Sequence, residues 1–76
     1  MEIKIHGYKL EGVKYEIKLN WNSKPTEMGI SGGRIDMLEA RTGRKKILRY
    51  ENGEWTIPAT TEHTKKILED VTNQFN

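Results

Sequence analysis

Residues 13–21 read Val-Lys-Tyr-Glu-Ile-Lys-Leu-Asn-Trp, and this stretch decides the fold. Val13, Tyr15, Ile17, Leu19 and Trp21 alternate with Lys14, Glu16, Lys18 and Asn20. Successive side chains of a strand point to opposite faces, so this spacing predicts a strand with one face buried and one in water. Four of the five apolar residues are β-branched or aromatic, types that suit a pleated, half-buried surface. Glu11-Gly12 lies just upstream and fits a two-residue hairpin turn, with glycine supplying the positive φ.

Working outward, residues 2–10 pair back across that turn. Leu10 falls opposite Val13 and Tyr8 opposite Tyr15, but Ile3 and Ile5 then have the wrong parity for the same face. One extra residue at His6-Gly7 restores the phase and sets Ile5 beside Ile17 and Ile3 beside Leu19. A β-bulge is expected there, because glycine tolerates the left-handed backbone that bulges often need.

Residues 22–33 form a long connection, of a length uncommon without a function. Residues 34–41 and 46–51 read as strands around a Thr42–Lys45 turn, and 54–58 as a strand after Asn52-Gly53, a strong hairpin signal. Tyr50 then faces Trp55 and Leu48 faces Ile57. Taking Thr42-Gly43 as a two-residue turn sets Met37 opposite Leu48 and Ile35 opposite Tyr50. Pro58 ends the last strand. From residue 61 to 75 the spacing becomes helical, with Thr64, Ile67, Leu68, Val71 and Phe75 on one stripe. Thr60 or Thr61 serves as cap. The expected fold is α+β: one domain over residues 1–76, in which an antiparallel sheet of about five strands (a β-hairpin plus a three-stranded meander) carries one C-terminal helix on one face.

Composition narrows the function. The 76 residues are 34% hydrophobic and 32% charged, so the core is thin and the surface wet. With no cysteine, disulfides are excluded and structural zinc is disfavoured. No apolar run exceeds two residues, which argues against a signal peptide or membrane anchor and gives a cytoplasmic location by default. Net charge is +2, yet residues 41–49 hold five cations and no acid, leaving −3 for the remainder.

Gly29-Ile30-Ser31-Gly32-Gly33-Arg34-Ile35 with Leu38, followed by Tyr50, Gly53, Trp55, Pro58 and a short amphipathic helix, resembles a family of short uncharacterised proteins associated with phages and prophages. That family shares a GI-x-GGR-I-x-x-L segment. The likeness covers roughly residues 3–70 and departs at Gly53-Glu54-Trp55, where the family sets glycine and tryptophan together. It implies a small accessory protein and supplies no chemistry.

Several groups of residues are candidates for function. The glycines of the loop precede a strand and lack the lysine and helix of a phosphate loop, so a tight structural turn is the expected role. His6 and His63 have no evident catalytic partner at a recognisable spacing, and no cysteine nucleophile exists; no enzyme activity, cofactor or metal site is expected. Arg41, Arg44, Lys45, Lys46 and Arg49 surround one hairpin tip and form a candidate nucleic-acid surface. In the register above Arg49 faces Asp36 and Lys46 faces Glu39, which leaves Arg41, Arg44 and Lys45 uncommitted. The same register puts Leu38 against Ile47 on the wet face, near Ala40 and Pro58. That apolar patch is a candidate interface for an unknown protein partner or a homodimer. The leading expectation is therefore a non-enzymatic interaction module, with nucleic-acid binding as its rival.

Overall fold

In the computed structural model, which describes residues 1–76, five strands lie in one antiparallel sheet in chain order: β1 (Glu2–Leu10), β2 (Val13–Trp21), β3 (Ile35–Thr42), β4 (Lys45–Glu51) and β5 (Glu54–Ile57). A short 3-10 turn, Ile30–Gly32, sits in the β2–β3 connection, and the helix α1 (Glu62–Phe75) follows β5. Thr61 caps α1: its hydroxyl accepts from the Thr64 amide at 3.1 Å while its own amide donates to the Thr64 hydroxyl at 2.9 Å. This reciprocal pairing satisfies two backbone donors that the first helical turn would otherwise leave open.

The first hairpin is as its sequence predicts. Glu11 and Gly12 take φ of 49° and 81°, as a type I′ turn requires. Ile3 pairs with Leu19, Ile5 with Ile17, Tyr8 with Tyr15 and Leu10 with Val13, and the register shifts between Ile5 and Tyr8. Gly7, at φ 70°, takes the left-handed conformation of that bulge.

The other strands differ from expectation in a way that changes which side chains are inside. The β3–β4 turn is Gly43-Arg44, with Thr42 opposite Lys45 and Gly43 at φ 59°. Beyond it, Arg41 pairs with Lys46 but Ala40 pairs with Leu48, so Ile47 is an extra residue on β4. An extra residue in one strand flips every later side chain to the opposite face. Leu38 therefore pairs with Tyr50, not with Ile47, and Met37 lies opposite Glu51. A second bulge at Asp36 returns Ile35 to the inner face, opposite Trp21. A third, at Thr56, keeps Tyr50 opposite Trp55 but moves Ile57 from Leu48 to Arg49.

The core consists of Tyr15, Ile17, Leu19, Ile30, Ile35, Leu38, Ala40, Leu48 and Tyr50 from the sheet and loop, with Ile67 and Val71 from α1. Three aromatic tips tie the sheet to the helix. Tyr8 donates to Asp70, the Tyr15 hydroxyl meets His63 Nδ1 at 2.6 Å, and Trp21 Nε1 donates to the Phe75 carbonyl at 2.8 Å. Burial and the adjacent Asp70 carboxylate hold the Tyr8 hydroxyl well above the usual tyrosine range. Through the same hydrogen bond Asp70 is held below the usual carboxylate range, against the upward pull of burial. With α1 fastened over one face of the sheet, the opposite face is left uncovered. No helix is long and apolar enough to cross a membrane.

Candidate nucleic-acid interface

The polar halves of the strand alternations make up the uncovered face. Reading across the strands, one row runs Glu16 on β2, Arg41 on β3 and Lys46 on β4. The next runs Lys4, Lys18, Glu39 and Arg49, and the one beyond it Glu2, Asn20, Met37, Glu51 and Glu54. At the other end, nearest the two hairpin tips, Lys9 pairs with Lys14, and the β2–β3 register continued past Glu16 and Arg41 runs from Lys14 towards the Gly43-Arg44 turn.

Three pairs on this face set cation directly against cation, Lys4 against Lys18, Lys9 against Lys14, and Arg41 against Lys46, and one at the far end sets acid against acid, Glu51 against Glu54. Directly opposed like charges in an antiparallel pair destabilise it. Lys4, Lys9, Lys14, Arg41, Arg44 and Lys45 are all exposed and none makes a salt bridge. Sequence reasoning finds only the last three of these, because it follows a run along one segment. The lysines of the first hairpin come from a different part of the chain and join the patch through strand pairing.

The remaining cations of the basic segment are engaged. Glu39 is 7% exposed, and Arg49 donates to it while Lys46 Nζ lies 3.3 Å away. Arg49 also reaches Glu51 at 2.6 Å. Burial raises the Glu39 carboxyl, but Lys46, Lys18 and Arg49 together outweigh it and hold the group below the usual carboxylate range. The partners expected from an unbroken register are corrected accordingly. Arg49 faces Glu39 and not Asp36, which instead accepts from Asn20 Nδ2 at 2.7 Å, and Lys46 faces Arg41 while reaching diagonally to Glu39.

The apolar patch expected as an interface does not exist. Leu38 and Ala40 are fully buried under α1, because the Ile47 bulge turns them inward. Ile47 is half-buried beside Tyr15, Ile57 and the start of α1 in an open groove, and Pro58 is exposed beyond the end of β5.

Both histidines have partners that their spacing does not reveal. His6 Nδ1 lies 2.7 Å from Glu16 on the uncovered face, and His63, on the helix side, meets Tyr15 and approaches Glu11 at 3.8 Å. The sheet separates the two pairs. No three His, Cys, Asp or Glu residues cluster closely enough to share a metal.

The glycine loop is a packing device. A Cβ on Gly29 would sit 2.0 Å from the Gly33 carbonyl oxygen, and one on Gly33 would overlap the Asn76 side chain. That side chain accepts from the Arg34 amide at 2.9 Å and donates to the Ile30 carbonyl at 3.0 Å. The amides of Gly29, Gly32 and Gly33 donate to carbonyls within the loop, so they are not turned outward as a phosphate cradle.

No curated protein and no solved structure matches the chain. A family model described as a domain of unknown function, DUF7678, matches residues 2–76. Since that match spans nearly the whole sheet-and-helix unit, the chain belongs to the DUF7678 family.

Proposed function

We propose that the chain is a non-enzymatic nucleic-acid-binding module that holds a phosphate backbone on the uncovered face of its sheet. The three cation pairs carry this reading. Lysines on an edge strand have an ordinary purpose, since they blunt strand-to-strand aggregation. That accounts for Lys4 and Lys9 on β1, but Lys14, Lys18 and Arg41 lie on interior strands. Cations kept opposite one another at a cost to the fold suit a polyanion, whose condensed counterions are released on contact.

Interaction with a protein partner or a second copy is less well supported. It loses Leu38 and Ala40 to the core, and the sheet edges are poor templates. β1 carries a bulge and lysines, and β5 is four residues long and followed by Pro58. Binding without catalysis fits the separation of the two histidine pairs by the sheet. A mobile-element origin belongs to the proposal on the strength of the resemblance at Gly29–Leu38 alone.

The test uses a substitution with opposite effects on fold and function. Lys9→Glu replaces a like-charge pair by a carboxylate facing Lys14. It is expected to stabilise the domain by roughly 0.2–1 kcal/mol, raising Tm by a few degrees. It is also expected to weaken binding to generic DNA at low salt by about threefold or more. Thermal melts and fluorescence anisotropy read the two effects. A variant that binds as well as the parent sinks the proposal.

A further inference from the structure

The charges of the uncovered face are graded along the strands. Nearest the two hairpin tips stand Lys9 and Lys14 on this face and Arg44 in the β3–β4 turn, with no acid among them, while Lys45, opposite Thr42, lies on the helix side in the groove with Glu62 and His63. Glu11 is at the same end, but approaches His63 on the helix side at 3.8 Å. The middle rows are mixed, with Glu16 and Glu39 among the cations. The far row has Glu2, Glu51 and Glu54 and no lysine or arginine. A long anion laid along the strands would run from the cationic end onto these three carboxylates. One laid across the strands, over both tips, would meet cations throughout.

The side chains also bear on which nucleic acid fits. Proteins that bind single strands generally add aromatic platforms on which bases stack. The outward positions of β1 to β4 hold no tyrosine, tryptophan or phenylalanine, and the exposed Trp55 pairs with Tyr50, ring to ring at 4.9 Å, on the helix side. A face without stacking groups responds to phosphate density. From β1 to the β3–β4 turn the cationic row spans between two and three strand spacings, about 12 Å. Over that length a duplex offers about seven phosphate charges, and one of its strands alone offers about half as many.

Resting on the proposed function, we infer that the ligand is a nucleic-acid duplex lying across the strands along the hairpin-tip end, held by Lys9, Lys14 and Arg44. Two double substitutions, each removing two positive charges, test it on the full chain. Lys9→Gln with Lys14→Gln alters the tip row, and Lys4→Gln with Lys18→Gln alters the mixed row. All four residues lie on the surface, and thermal melts confirm that each variant is folded. The probes are a mixed-sequence DNA duplex of about 20 base pairs and one of its strands alone, at low salt.

The tip variant is expected to lose about tenfold or more in duplex affinity and to flatten the salt dependence by close to two log units per log unit. The mixed-row variant, whose Lys18 already lies near Glu2 and Glu39, is expected to lose clearly less, about threefold, and the parent to prefer duplex over single strand. Equal losses in the two variants, or equal binding of single strand and duplex, overturn the inference while leaving nucleic-acid binding intact. A parent that binds neither probe overturns the proposed function as well.

Discussion

Leu38→Lys is expected to leave no folded population at room temperature. Leu38 has no exposed surface and sits between Leu19 on β2 and Tyr50 on β4, in the same core as Ile67 and Val71 of α1. Truncating a buried leucine to alanine costs about 2–5 kcal/mol, and a buried ammonium without a partner adds a desolvation penalty of several more. A chain of this length has roughly 4–11 kcal/mol of stability in total. Circular dichroism of Leu38→Lys should show an unfolded chain, and a urea titration of Leu38→Ala should show a loss of about 3 kcal/mol. A folded, stable Leu38→Lys would mean that Leu38 lies on the wet face, as an unbroken alternation across the Thr42-Gly43 turn requires. The experiment thus decides between the two registers.

Glu39→Gln has the second large effect. Its carboxylate sits among Lys18, Lys46 and Arg49, and removing its charge leaves those three cations facing one another with Arg49 partly enclosed. The expected loss at pH 7 is about 2 kcal/mol, the scale of a hydrogen bond to a charged group. The pH dependence follows from the direction of the shift. The Glu39 carboxyl is held below its ordinary value of 4.5, so ionisation favours the folded state. This stability is fully present above the unfolded value and is lost as pH falls through the lower folded value. The parent should therefore exceed Glu39→Gln at pH 7, and the gap should close below about pH 4.5. Asp70 titrates in the same acidic direction in both proteins and cancels from the difference. A gap that stays constant down to pH 3 would contradict the ion-pair account.

How far the fold is legible in the sequence varies from hairpin to hairpin. In the first one the bulge announces itself, because Gly7 stands where the phase of Ile3 and Ile5 breaks from that of Tyr8 and Leu10. The helix is equally plain from its stripe and its Thr61 cap. The meander is less so. Its bulges fall at Asp36, Ile47 and Thr56, none beside a glycine, and a strand with one extra residue keeps the composition of a regular strand. Spacing offers one clue: Ile35, Leu38 and Ala40 are separated by three and then two residues, which no unbroken strand can place on one face.

Part of the basic face is within reach of the first hairpin. The register that sets Leu10 opposite Val13 also sets Lys9 opposite Lys14, and the pairing of Ile5 with Ile17 makes Lys4 face Lys18. A search along the chain for clustered cations passes over such pairs, since each lysine looks like the solvated half of an ordinary alternation. The pairing of Arg41 with Lys46 needs the Gly43-Arg44 turn, and nothing in the residue pattern distinguishes that turn from Thr42-Gly43.

The most direct measurement of the central claim is a salt titration of the unmodified chain against a generic DNA duplex. Three phosphate contacts predict that the logarithm of the association constant falls with the logarithm of salt concentration at a slope of about −2.5 to −3. No binding at about 20 mM salt, or a slope near zero, would contradict the assignment of the uncovered sheet face as a phosphate-binding surface.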